Sequence, residues 1–353
     1  MRRRLLKLGA LFFFIGSILL CFYSLKAGII LLSLAILVFL LLLVLLILNK
    51  AIKNTNWYKN IFIYTEQMCS NEGYRNYLIR NLDVVNVGSN PARFAFHYDT
   101  ILGENWSTGN QGKDMDYEIL KFRHSFLKRR GVVLLPITPF SGVAGFLKNN
   151  NPSYFGVHYY AKFAKTLDPG QALRIPECGY AMKWLRFPIL FEPKSLRYLF
   201  FDVKEDNRLE ITDMRLTKPQ RIEDARHWVE GWLNEFELIN LEEPLNEKLK
   251  LGVDNSVKIM QETIDFLVER DLKPVLVLTP MCCELQNYFT EPIKEKLIYN
   301  FVKQINRSVE FLDYSNDNDL QRPELYFNTL YMNLRGRKIF TNRVLKDLNL
   351  VNK

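Results

Sequence analysis

The 353-residue chain is poor in the residues that carry much of protein chemistry. It has four histidines and five cysteines (Cys21, Cys69, Cys178, Cys282 and Cys283), an odd number without framework spacing. Neither a disulfide scaffold nor a zinc site is indicated, and no cofactor is implied. A Walker-type glycine loop, a Gly-x-Gly-x-x-Gly run and a metal-spaced His/Cys cluster are all missing, which removes the common phosphate, dinucleotide and metal signatures. There is no internal repeat and no low-complexity tract. The first 50 residues contain no acid: Arg2, Arg3, Arg4, Lys7, Lys26 and Lys50 supply +6 of the net +9, so the other 303 residues carry only +3. The basic balance therefore belongs to one end of the chain, and no nucleic-acid partner is expected. What is abundant is apolar matter, 48% of residues with 13% aromatic, too much for a disordered chain and enough for a large core.

That apolar content is concentrated at the start. Leu8 to Leu48 is almost uninterrupted hydrocarbon, broken only at Tyr23–Gly28. One helix crosses a bilayer with about 20 residues, so this length predicts a helical hairpin, with spans over 8–23 and 28–48. A cleaved signal peptide has an apolar region of only about 7–15 residues and fits less well. Lysine and arginine before the first run and after the second put both ends, and the soluble part, in the cytoplasm. The soluble part lies outside if only one span inserts. Residues 51–80 read as a connector.

Beyond it, short apolar runs at Leu82–Val87, Gly131–Ile137, Pro274–Thr279 and Val309–Tyr314 predict buried parallel strands. Helical patterns over Asn255–Arg270 (capped by Asn255 or Ser256), Lys294–Ser308 and Gly336–Leu348 lie between or after them. Alternation of this kind predicts an α/β fold of flavodoxin-like type, a parallel sheet sandwiched by helices over residues 81–348. An α+β insertion over about 150–250 is expected to hold strands near Leu196–Val203 and Leu209–Thr212 and a helix near Ile222–Glu237. Lys128-Arg129-Arg130 reads as a cationic cap on a preceding helix. Cys282–Cys283 has no evident base or metal partner. Trp228 and Trp232, at i, i+4, read as helix burial, with a sugar-stacking surface as the sharper alternative.

Ligands of open α/β sheets bind beyond the carboxyl ends of the strands, where the chain reads Val87-Gly88-Ser89-Asn90, Ile137-Thr138-Pro139-Phe140-Ser141 and Leu278-Thr279-Pro280-Met281. With the later Asn328-Thr329-Leu330-Tyr331-Met332-Asn333-Leu334-Arg335-Gly336, these segments resemble the SGNH (GDSL-like) hydrolase superfamily. The likeness is to its membrane-anchored bacterial branch, which includes the D-alanyl transfer protein of teichoic acid assembly and proteins of surface-polysaccharide acylation. The resemblance covers about 82–160 and 255–348. It implies an SGNH-type fold and a cleft containing Gly88, Gly109, Asn110, Gln111, Ser141 and Asn333. It also implies a glycan or acylated-glycan ligand and a membrane-bound acyltransferase or polysaccharide-assembly partner.

Against the family pattern, the nucleophile position holds Asn90, the acid position Asn328 and the base position Tyr331. A carboxamide is neither nucleophile nor acid, and a phenol with an ordinary pKa near 10 is a poor base. The resemblance therefore implies a catalytically inactive binding or scaffolding protein. The rival is an active esterase or O-acyltransferase with a displaced triad, using Ser89 and one of His97, His124, His158 or His227. A third reading is a structural membrane subunit.

Overall fold

The computed structural model describes residues 25–61, 80–109, 111–144, 176–205 and 207–351. In chain order these form α1 (Leu25–Lys53), α2 (Asn56–Ile61), β1 (Leu82–Asn86), α3 (Asn90–Arg93), β2 (Gly103–Asn105), α4 (Lys113–Arg123) and β3 (Leu127–Ile137). There follow α5 (Pro176–Arg186), α6 (Lys218–Glu235), α7 (Glu247–Val268), β4 (Lys273–Leu278), β5 (Glu310–Asp313) and α8 (Leu334–Asp347), with shorter helical turns between them. The chain divides into two compact units: 1–59 with 184–204, and 60–183 with 205–353.

In the first unit, α1 is apolar and long enough to cross a membrane over Gly28–Lys53. The expected first span, 8–23, lies outside the described residues. The connector expected at 51–80 begins instead as the end of α1 and as α2. Residues 184–204, expected as part of the insertion, pack with this unit.

The second unit is built on five parallel strands in the order β2-β1-β3-β4-β5, that of doubly wound flavodoxin-like sheets. Val84, Val132, Leu134, Val275 and Val277 share a core with Phe340, Val344 and Leu345 of α8. By the two-residue alternation of strands, Val85, Val133, Leu135, Leu276 and Leu278 face the other side, where α7 packs on β4 and α4. All four predicted strands are present, but β5 is an edge strand with Phe311 and Leu312 only half-buried and its ends exposed. The three-residue β2 was not predicted, because three positions are too few to show a period.

Several local expectations are corrected. Residues 196–203 and 209–212 are not strands. Pro193–Leu199 and Arg208–Glu210 are 3₁₀ turns, closed by bonds such as Phe200 N to Arg197 O (3.1 Å) and Glu210 N to Asn207 O (3.0 Å). Their apolar and aromatic residues meet no sheet edge, and strand preference is decided by that context. Among the described residues the insertion is therefore helical, not α+β. The α7 cap is Asn246, whose side chain accepts from Leu249 N, so the helix starts earlier than Asn255. Lys128, Arg129 and Arg130 lie in β3, not on a helix end. Lys128 pairs with Asp83, and Arg129 with Asp271 at 2.5 Å.

Candidate functional site

The sheet order reverses between β1 and β3, and a cavity of about 650 Å³ opens there. Its floor is the carboxyl end of β1 (Gly88, Ser89, Asn90) and of β3 (Leu135, Pro136, Thr138–Ser141). The crevice exists because the strands diverge: the last β1–β3 pair is Asn86↔Leu134, beyond which the chain breaks away from the ladder. Gly88 makes that break at φ +117°, and a Cβ there would sit 2.9 Å from Ala92 Cβ, so the turn requires glycine.

The turn is held from below and from the side. Under it, Asn86 Nδ2 donates to Asn105 Oδ1 (2.7 Å) and the Tyr98 hydroxyl donates to Asn86 Oδ1 (3.0 Å). Asn105 Nδ2 in turn donates to Phe96 O at 3.1 Å. At its side, Asp116 of α4 accepts from Gly88 N (2.9 Å) and Gln111 Nε2 (2.5 Å). Enclosure by protein pushes the Asp116 carboxyl up to about 7, against the downward pull of Gln111, Lys113 and the Gly88 N–H. The same enclosure pushes the Lys113 ammonium down to about 8, against Asp116 and Asp114. Lys113 Nζ donates to Ser141 O at 2.6 Å, tying α4 to the β3 end. Both groups line the cavity. Titratable pairs displaced toward neutrality in this way are characteristic of functional clefts.

The second motif arrives from the far end of the chain. Tyr331 and Asn90 both line the cavity. Burial pushes the Tyr331 phenol up to about 12, with Arg208, Arg93 and Asn90 pulling the other way. At neutral pH it is a protonated donor that cannot accept a nucleophile's proton. Asn328 does not reach the ring. Its Oδ1 accepts from Leu330 N (3.1 Å) and Tyr331 N (2.7 Å), a local side-chain turn. Asp224 of α6 grips the same turn, accepting from Thr329 N (2.9 Å) and Oγ1 (2.5 Å).

Aromatic rings from α6 close the opposite wall. Trp228 packs edge-on against Tyr331 with centroids 5.4 Å apart, Trp232 lies 5.0 Å from Phe140, and Phe236 stacks on Phe140 at 4.9 Å. Trp228 and Trp232 both remain partly exposed to the cavity. Helix burial therefore accounts for only part of their surface.

The remaining expected residues separate into two groups. Gly88, Ser89, Gln111 and Ser141 line the cavity with Asn90 and Tyr331. Gly109 is buried away from it, and Asn110 lies outside the described residues. Asn333 is fully buried and caps α8: its Oδ1 accepts from Gly336 N (2.9 Å) and its Nδ2 donates to Glu324 O (2.8 Å). It is structural. The described histidines are all engaged elsewhere: His97 beside Asp99, His124 with Lys121 O, and exposed His227 beside Glu223. His158 lies outside the described residues.

Cys282 and Cys283 do have a partner. Both thiols donate to Glu284 Oε2 (3.0 and 3.1 Å), while Arg221 pairs with Oε1 at 2.6 Å. Burial pushes that carboxyl up, but the two thiols and Arg221 outweigh it and hold it near 2. Residue order alone hid this contact, and it also hid Asp116, Lys113 and Asp224. The one signal available was the acids Asp114 and Asp116 in the turn that follows Gly112, as at a helix N-terminus. A comparison with protein-family models and with curated proteins finds no match for this chain.

Proposed function

We propose that this chain is a membrane-tethered binding protein, SGNH-hydrolase-like in fold, whose cleft holds a glycan or acylated glycan of surface-polysaccharide assembly without catalysing its hydrolysis. The observation that carries the reading is the convergence of Asn90 and Tyr331 on one cavity. It joins the nucleophile and base positions of the resemblance in one cavity at the switch point of the sheet, with a carboxamide and a neutral phenol in place of the reacting groups. An aromatic wall facing hydrogen-bonding groups is the chemistry of a site that binds a ligand with apolar faces and polar edges. In this reading α1 and the apolar run 8–23 form a hairpin anchor, and the domain works beside a membrane-bound acyltransferase or polysaccharide-assembly partner. The esterase alternative with Ser89 draws less support, since His97, His124 and His227 are held away from the cavity.

Tryptophan fluorescence of the full chain in detergent, titrated with acylated and deacylated glycan fragments, tests the proposal. A saturable change that W228F or W232F weakens, together with ester turnover that S89A leaves unchanged, is the expected result. Ester turnover abolished by S89A would transfer the assignment to an enzyme.

A further inference from the structure

The unit formed by α1 and residues 184–204 carries an exposed apolar surface that the cavity does not explain. Its level relative to a bilayer follows from the chain. Gly28 to Ile47 is 20 residues, which at 1.5 Å each rise about 30 Å, the thickness of the hydrocarbon layer. Side chains along that stretch, such as Phe39 (65% exposed) and Ile47 (59%), stand free of the protein. Burial begins one turn later, with Asn49 and Ile52, because residues 184–204 pack there.

The attachment is specific. Asn49 Nδ2 donates to Arg186 O (3.0 Å), and the Tyr58 hydroxyl donates to Leu185 O (3.1 Å). Asp202 accepts from the N–H groups of Asn56 (2.6 Å) and Trp57 (3.0 Å) at the start of α2. Trp57 also stacks on Tyr198 with centroids 4.9 Å apart. The segment is thus fixed to the first turns of chain beyond the hydrocarbon, at the depth of the lipid headgroups.

From that position it presents Leu190, Phe191, Phe200 and Phe201 outward, the last two each 80% exposed. Single exposed hydrophobes are ordinary, but a cluster including two adjacent phenylalanines marks a contact surface. Residues 48–59 and 184–204 also hold seven lysines and arginines against two acids. Both acids are turned to the unit's own use: Asp202 caps α2, and Glu192 accepts from Trp184 Nε1 at 3.1 Å.

We infer that residues 184–204 form an interfacial collar around the end of the spanning helix. Phe200, Phe201, Leu190 and Phe191 enter the headgroup layer of an anionic bilayer, and the surrounding cations face the lipid phosphates. Aromatic side chains are favoured at this depth, and clustered cations beside a span favour anionic lipid. The inference rests on α1 being a membrane span.

A photoreactive benzoylphenylalanine placed in the full chain at position 200, 201 or, within the span, 37 tests it. The protein is reconstituted in nanodiscs of phosphatidylcholine alone or with phosphatidylglycerol. Lipid adducts at all three positions, severalfold richer at 200 and 201 when phosphatidylglycerol is present, are expected. Adducts at 37 without any at 200 and 201, or cross-links from 200 and 201 to a protein or a second copy of the chain, overturn the collar while leaving the span intact. Equal yields in the two lipids overturn the anionic assignment. Absence of lipid adducts at 37 overturns the span, and the collar with it.

Discussion

The Asp116 carboxylate accepts the Gly88 N–H at 2.9 Å, so the turn at the end of β1 is tied to the first helical turn of α4 beside the cavity. The bond links the backbone that presents Asn90 to a group whose ionisation changes near neutrality. It also makes the turn's stability dependent on pH.

The sign of that dependence follows from the direction of the shift. Folded Asp116 keeps its proton up to about 7, whereas the unfolded side chain loses it near 4, so between these values the folded state binds more protons and stability falls as pH rises. D116N removes the titration and retains an oxygen for Gly88. Unfolding followed by tryptophan fluorescence at a series of pH values should show wild type losing roughly 2–4 kcal/mol relative to D116N across that window. Parallel curves for the two proteins would refute the shift.

Asn90 and Tyr331 line one cavity, and the Asn90 amide pulls the Tyr331 phenol down, so their substitutions should not be additive. N90A and Y331F are each expected to cost about 1 kcal/mol, with the double variant about 1 kcal/mol milder than their sum. Denaturant unfolding of the four proteins in the cycle gives the coupling directly. Zero coupling would mean that the two side chains do not pair.

A Cβ on Gly336 would lie 1.9 Å from Leu325 O, a backbone atom that cannot swing aside. G336A is therefore expected to cost at least about 3 kcal/mol, at the severe end of overpacking. N333A, which removes the α8 cap and the bonds to Glu324 O and Tyr326 O, should cost about 2 kcal/mol. Limited proteolysis of the two variants should rank them in that order.

Asp224 holds the Thr329 turn through two hydrogen bonds from α6. Removing them in D224A should cost about 1.5–3 kcal/mol, the usual range for bonds to a charged group. Because Trp228 packs on Tyr331 at the other side of this contact, its fluorescence should shift to the red as the turn loosens. An unchanged spectrum would place the turn under other control.

The elements that composition and period decide were legible in the chain. Val84–Val85, Val132–Leu135 and Val275–Leu278 are apolar runs that are stable when covered on both faces, and Phe311–Leu312 is a shorter one at the half-buried sheet edge. Gly28–Leu48 is too long and too apolar for anything but a span or a deeply buried helix. Both follow from the apolar area that must leave water, a quantity the residues carry with them. The positions of Gly88–Asn90 and Tyr331 in one cavity follow from the strand order, since parallel strands bring their carboxyl ends to one edge.

The roles inside that cavity belong to the tertiary structure. Asn328 and Asn333 stand in the same motif, yet one closes a turn and the other caps a helix without lining the cavity. Nothing in their spacing distinguishes a side chain that faces a ligand from one that satisfies its own backbone. Asp116 and Lys113 are ordinary surface residue types until their surroundings remove water from them. Residues 196–203 are apolar and aromatic enough to suggest a strand, but they fold as a helical turn and irregular chain packed with α1, where there is no sheet edge. Apolar pattern is local and additive, so sequence conveys it. Hydrogen-bond partners, desolvation and sheet edges depend on segments tens to more than a hundred residues away, and only the folded chain brings those together.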